Sequence, residues 1–174
     1  ALIERGFAAT GAAASEAELD AYMAVFLEHY AAHVADGSRV FPGAIEALER
    51  FQAAGHGLSI CTNKPEKLTH MLLEALDLKR HFGVIVGADT LPMRKPDPLT
   101  LLKTIELMGG DPARAVMIGD SEVDAETARL AKVPFVIFTH GYSAFDPKTF
   151  GADELIDSFA ELPDAVARIA AARA

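Results

Sequence analysis

The sequence predicts an α/β protein built on a doubly wound parallel sheet, with a small helical region in front of it. After residue 41, short apolar segments alternate with amphipathic segments of helical length. Strands that are apolar along nearly their whole length are buried on both faces, and their alternation with helices is typical of a parallel sheet covered on each side. Ligands of such sheets bind at the carboxyl ends of the strands, so the residues directly after the strands are the first functional candidates.

Residues 1–40 are predicted to form the helical region. Between positions 15 and 35 apolar residues recur at steps of three and four, which is the period of an amphipathic helix. Ser15 and Glu18 are spaced as a capping box at its start. A shorter helix is expected over 1–9, and an Asp-Gly-Ser turn separates the two helices from the rest of the chain.

Residues 41–174 are predicted to form the α/β core. Pro65 suits the first turn of a helix and Gly55 suits the end of one. The predicted helices cover 43–54, 65–77, 98–108, 122–131 and 159–172, and the predicted strands cover 57–62, 83–87, 115–118, 134–138 and 154–156.

Composition and charge exclude several kinds of partner. The formal net charge is −9, with acidic residues spread along the chain, which disfavours nucleic acid and anionic membrane surfaces. No apolar run of about 20 residues and no signal-peptide pattern occurs, so a cytoplasmic location is predicted. With Cys61 as the single cysteine no intrachain disulfide can form, and Cys61 is expected to be a small buried side chain.

The first polar cluster, Thr62-Asn63, comes after a predicted strand and leads into a helix. The Thr62 hydroxyl and the Asn63 amide can donate to phosphate oxygens, beside backbone amides that favour an anion at a helix N-terminus. The alternative is that both residues only cap the helix.

The second cluster is Lys95-Pro96-Asp97-Pro98. Two prolines restrict the loop and fix the lysine as a cation that suits a phosphate. Alternatively, Lys95 lies on the surface and Asp97 is only a helix N-cap.

The third cluster is Gly119-Asp120-Ser121-Glu122-Val123-Asp124. Carboxylates after a strand suit Mg²⁺, which takes oxygen ligands and shares them with water and substrate phosphate. Capping of a helix by Ser121, with Asp124 at its third position, would explain Asp124 but not Asp120.

In this order, the three clusters resemble motifs two, three and four of the haloacid dehalogenase superfamily. The phrases Val86-Gly87-Ala88-Asp89-Thr90-Leu91-Pro92 and Thr139-His140-Gly141-Tyr142 resemble its phosphoglycolate phosphatase branch. The resemblance implies a Rossmann-like core with a partial helical cap, and a Mg²⁺-dependent phosphatase acting on 2-phosphoglycolate, a small phosphorylated metabolite.

The resemblance also implies residue roles. Thr62 and Asn63 would hold the transferring phosphoryl group, Lys95 would neutralise it, and Asp120 and Asp124 would form the metal site, the second directly or through water. Arg5 in the cap is a candidate for substrate contact.

One family motif is missing. Members begin with a strand ending in Asp-x-Asp-Gly-Thr, whose first aspartate is phosphorylated, and no such sequence occurs here. The family places that strand at the centre of the sheet, between the strands ending at Thr62 and Gly119, so two unpaired strand edges are expected. The chain is therefore expected to be a part of a longer protein and inactive by itself.

Two alternatives remain open. A hydrolase of the same superfamily can carry these motifs and act on another phosphate ester, such as a nucleotide or a sugar phosphate. A non-catalytic phosphate-binding remnant would also lack the nucleophile.

Overall fold

A computed structural model of the chain describes residues 2–11, 15–141, 143 and 145–173. The chain divides into two compact units, with the boundary between Ser38 and Arg39. Within the described ranges, no helix combines the length and the apolar character needed to cross a bilayer.

The first unit is a pair of helices, α1 (Leu2–Thr10) and α2 (Glu16–Ala32). The predicted capping box is confirmed: the Glu18 amide donates to Ser15 Oγ (3.4 Å) and the Ser15 amide donates to Glu18 Oε2 (2.9 Å). These bonds to Ser15 lower the pKa of the Glu18 carboxyl. Phe7 and Tyr22 meet edge to face with ring centroids 5.2 Å apart, which joins the two helices.

The second unit alternates helices and strands in the predicted order. Most elements are one to three residues shorter than predicted. For the strands the reason is that each is confined to the residues that have a paired neighbour. The helices are α3 (Ala44–Ala53), α4 (Glu66–Ala75), α5 (Pro98–Leu107), α6 (Glu122–Ala131) and α7 (Leu162–Ala172), and the strands are β1 (Ser59–Cys61), β2 (Val84–Val86), β3 (Met117–Gly119), β4 (Phe135–Phe138) and β5 (Glu154–Ile156).

The strands form two parallel sheets. In one sheet β1 pairs with β2, with Ile60 opposite Ile85. In the other, β4 lies between β3 and β5, with Ile118 opposite Val136. Among the described residues, β1 and β3 each have a strand neighbour on one side only. The same holds for β2 and β5, so the expected position of a further strand between β1 and β3 stays a prediction.

Hydrophobic clusters cover both faces of β4. Phe135 and Ile137 belong to one cluster, and Val136 and Phe138 belong to the other, as the alternation of side chains along a strand requires. The first cluster also contains residues of α5, α6 and β3, and Cys61 of β1 packs against it. The two sheets therefore share one apolar core, and the predicted α/β fold class is confirmed.

Candidate active site

Thr62 comes directly after β1 and is held by backbone bonds. Its amide donates to the carbonyl of Val86 (2.9 Å), and its Oγ1 accepts a bond from the Lys64 amide (3.1 Å). The latter bond uses an oxygen lone pair and leaves the hydroxyl hydrogen able to donate. Helix α4 is capped at Pro65 without a side-chain bond, so the alternative that Thr62 and Asn63 serve only as helix caps is wrong.

Asn63 connects the loop after β1 to the loop that carries Lys95. Its Nδ2 donates to the backbone carbonyl of Lys95 (2.9 Å). The side chain thus positions the lysine loop, and the contact of Asn63 with a phosphoryl group stays a prediction.

Lys95 is mostly buried and is paired with a carboxylate. Its Nζ lies 2.5 Å from Asp124 Oδ1, and the two side chains are only 10% and 8% exposed. The alternative of a surface lysine is therefore wrong. Asp97 does cap α5, since its Oδ1 accepts a bond from the Leu99 amide (2.9 Å).

Asp124 uses both of its carboxylate oxygens within the protein. Oδ1 accepts from Lys95, while Oδ2 accepts from Ser121 Oγ (2.7 Å) and from the backbone amide of Asp120 (3.2 Å). Ser121 also caps α6, as predicted. A Cβ added at Gly119 would lie 2.5 Å from the Asp124 Cβ, so only glycine allows α6 this close to the end of β3.

The Lys95–Asp124 pair joins the two sheets. Lys95 lies in the loop after β2, whereas Asp124 lies on the helix after β3. A buried ammonium paired with one carboxylate oxygen keeps further donor hydrogens for a second anion. The candidate site is thus a fixed cation at the carboxyl ends of both sheets.

The donor set suits one hard cation held mainly by Asp120. The described residues contain no group of three or more His, Cys, Asp or Glu side chains placed to hold a metal. Mg²⁺ does not need one, because it is bound through one or two carboxylates together with water and substrate phosphate. Both Asp124 oxygens accept bonds within the protein, so Asp124 fits a supporting group, and Asp120 is the second carboxylate of the predicted metal site.

A second network braces the loop after β2, which the sequence did not assign. The Gly87 amide donates to Thr90 Oγ1 (2.8 Å), and Thr90 donates to Glu66 Oε2 (2.6 Å). Asp89 Oδ1 accepts from the Glu66 amide (2.7 Å), so a protein carboxylate already takes the first amide of α4. The sequence motif around Asp89-Thr90 drew attention to this loop, but residue spacing alone could not predict that it contacts Glu66.

Two other predicted positions lie outside the described part of the molecule: the side chain of Arg5 and residue Tyr142. Cys61 packs against the apolar cluster below the site. Burial raises the pKa of its thiol, while the positive charge of Lys95 partly opposes that shift.

Comparison with known proteins shows which family this chain resembles. The model of the haloacid dehalogenase-like hydrolase family matches residues 7–138. A phosphoglycolate phosphatase from Mesorhizobium japonicum is 45% identical over 158 residues, which span 91% of this chain and 70% of that protein.

Solved structures show the same fold. A predicted phosphoglycolate phosphatase from Haemophilus somnus superposes with a TM-score of 0.85 at 27% identity, covering 91% of this chain and 71% of that one. CbbY from Rhodobacter sphaeroides, solved with xylulose-1,5-bisphosphate, gives a TM-score of 0.69 at 27% identity over 78% of this chain and 61% of that one.

Proposed function

The chain belongs to the haloacid dehalogenase-like hydrolase family and is a phosphatase of that family, and on this premise we propose its specific reaction. The full-length protein hydrolyses 2-phosphoglycolate, uses Mg²⁺, and passes through an aspartyl-phosphate. The similarity to a phosphoglycolate phosphatase supports the substrate.

The buried Lys95–Asp124 pair is the observation that carries this proposal. The Lys95 side chain, only 10% exposed, holds a positive charge at the ends of two parallel sheets, where it can attract a doubly charged phosphate. Two unit charges about 4 Å apart attract by roughly 4 kcal/mol at an effective dielectric near 20. The net charge of −9 makes such a local cation necessary.

Each residue then has one task. The Thr62 hydroxyl donates to a phosphoryl oxygen, and Lys95 neutralises the charge on the group as it transfers. Asp124 fixes Lys95 by its ion pair, and Asn63 fixes it through the backbone of the loop. Asp120 holds Mg²⁺, which supplies further charge neutralisation at the phosphate.

The nucleophilic carboxylate is proposed to lie on a strand between β1 and β3. Both strands have one side without a strand neighbour among the described residues, and Ile118 of β3 is 38% exposed. The carboxylate attacks phosphorus, the P–O bond to glycolate breaks, and the leaving oxygen takes a proton from the second aspartate of the same motif, which regains a proton from the attacking water in the next step. Water then attacks the aspartyl-phosphate and releases inorganic phosphate and the regenerated carboxylate.

The test is the turnover of 2-phosphoglycolate by the full-length gene product with Mg²⁺ and after chelation. We expect metal-dependent phosphate release that Asp120→Asn abolishes and that Lys103→Ala, on the exposed face of α5, leaves unchanged. Absence of metal-dependent hydrolysis of any small phosphate ester would disprove the proposal.

A sugar bisphosphate is a second candidate substrate, favoured by the likeness to CbbY. A panel containing 2-phosphoglycolate, sugar phosphates and nucleotides decides between them by kcat/KM. A non-catalytic remnant would instead bind Mg²⁺ and phosphate in calorimetric titration of the full-length protein and turn over none of the panel.

A further inference from the structure

The loop after β4, residues 139–146 with 142 and 144 outside the described part, is fastened at two points. At its start, the Thr139 amide donates to the carbonyl of Ile156 (3.0 Å), and the Thr139 hydroxyl is hydrogen-bonded to Asp157. Further along, Ser143 Oγ donates to Glu122 Oε2 on the first turn of α6 (3.1 Å). Thr139 is thereby tied to β5 and the residue after it, and Ser143 is tied to the helix that follows β3.

Gly141 lies between the two fastenings and against Asp120. A Cβ at position 141 would lie 2.3 Å from the Asp120 Cβ and 2.5 Å from its Oδ2, whereas real Cβ contacts essentially never fall below 3.0 Å. The φ of Gly141 is outside the left-handed region. Glycine is therefore required here for space and not for backbone conformation.

The Asp120 side chain cannot make this space by rotation. The colliding atom is its Cβ, which is bonded to the backbone and does not move when χ1 changes. The backbone of Asp120 is itself held by the bond from its amide to Asp124 Oδ2 (3.2 Å) and by the pairing of β3 with β4. A side chain at 141 must therefore displace either the loop or the Asp120 backbone.

We propose that Gly141 is a positioning residue for Asp120: the bare backbone of the fastened loop fixes where the Asp120 carboxylate points. The inference rests on the proposed role of Asp120 as the Mg²⁺ ligand. Mg²⁺ demands nearly ideal octahedral geometry at short metal–oxygen distances, whereas Ca²⁺ accepts longer bonds and irregular geometry. A shift of Asp120 by a few tenths of an ångström therefore weakens Mg²⁺ binding more than Ca²⁺ binding.

The experiment is calorimetric titration of the full-length protein with Mg²⁺ and, separately, with Ca²⁺. Gly141→Ala is expected to weaken Mg²⁺ binding by about 10-fold to 100-fold, the usual effect of disturbing the groups that orient a ligand. Ca²⁺ binding should weaken by clearly less. The matched control is Gly37→Ala, since Gly37 has open space around its Cβ position and a φ outside the left-handed region.

A second variant tests the fastening of the loop. Ser143→Ala removes the bond to Glu122, so in the Gly141→Ala background it lets the loop move away and recovers part of the Mg²⁺ affinity. If Gly141→Ala alone does not fold, the double variant is expected to fold and to bind Mg²⁺ more weakly than the wild type. A double variant that remains unfolded overturns the inference, because the space would then serve folding alone.

The outcomes separate this inference from the proposed function. If Gly141→Ala binds Mg²⁺ within threefold of the wild type while Asp120→Asn does not bind it, the inference is wrong and the metal site stands. An equal loss of Mg²⁺ and Ca²⁺ binding also overturns it. If Asp120→Asn binds Mg²⁺ like the wild type, the proposed metal site is wrong, and the inference falls with it.

Discussion

Strands β3 and β4 are neighbours in one sheet, yet their environments differ. β4 has a strand on each side and a hydrophobic cluster on each face, and all four of its side chains are buried. β3 has one described strand neighbour, and its middle residue, Ile118, is 38% exposed although it belongs to the sheet that forms the core. Ile118 is the side chain that the proposed nucleophile strand would cover.

The difference shows how the two sheets are held together where no strand joins them. Backbone bonds connect β3 to β4. The contacts between the two sheets include the packing of α5 and Cys61 with α6 and β3 in the shared cluster, and the ion pair of Lys95 with Asp124. The same ion pair forms the candidate site. A change at this pair is therefore expected to affect both the stability of the fold and the proposed activity.

Removal of Lys95 breaks this connection and has the largest expected effect. In the full-length enzyme, Lys95→Ala should lower turnover of 2-phosphoglycolate by about 10²–10³, because the transferring phosphoryl group loses a fixed positive charge. It should also lower the free energy of unfolding by about 3–5 kcal/mol, since Asp124 is left buried without its partner. Steady-state kinetics and urea denaturation measure the two effects.

Paired variants separate the two contributions. Lys95→Met combined with Asp124→Asn removes both charges, so it should recover much of the stability while activity stays low. Lys103→Ala is the control, because the Lys103–Glu106 pair is exposed on α5, the helix that follows the loop of Lys95. A Lys95→Ala enzyme with activity within threefold of the wild type would show that the buried lysine does not act on the substrate.

Substitution of one isoleucine in each strand tests the difference in burial between β3 and β4. Ile137 of β4 is fully buried, and Ile118 of β3 is 38% exposed. In the 174-residue chain, Ile137→Ala should cost about 2–5 kcal/mol of unfolding free energy and Ile118→Ala about 1 kcal/mol or less. Urea denaturation of both variants provides the measurement.

The same two substitutions give a more decisive test in the full-length protein. If a further strand lies beside β3 and covers Ile118, the cost of Ile118→Ala should rise toward that of Ile137→Ala. An unchanged cost in the longer protein would contradict the proposed position of the nucleophile strand. Equal costs in the 174-residue chain would contradict the contrast itself.

The order of elements could be predicted because it rests on local signals. Three helix starts are fixed by bonds within four residues: those at Ser15 with Glu18, at Asp97 followed by Pro98, and at Ser121 before α6. The strand lengths could not be predicted in this way, because a strand ends where its neighbour in the sheet ends. The short 3₁₀ turns, such as Phe159–Glu161, also carried too weak a local signal.

The sequence named the residues of the candidate site but could not show how they are connected. Sequence order placed Thr62, Lys95 and Asp124 after strands, where parallel sheets bind ligands. It could not show that Asp124 is committed to Lys95, because these residues are 29 positions apart and meet only through folding. Nor could the sequence assign a role to Gly141, since the need for a glycine there depends on Asp120, which lies against it only in the folded chain.

The smallest expected effect concerns Cys61, at the end of the other open strand. Although β1 lacks a described neighbour on one side, this thiol packs on the shared cluster, and burial raises its pKa. A raised pKa means less thiolate at pH 8, so iodoacetamide should alkylate the native chain several-fold more slowly than the unfolded chain. The midpoint of the rate against pH should lie above about 8.5, the value of a free cysteine. Lys95→Met should move this midpoint to a still higher pH, because the charge of Lys95 favours the thiolate. A midpoint at or below that of the unfolded chain would mean that Cys61 faces the unpaired side of β1 instead of the core.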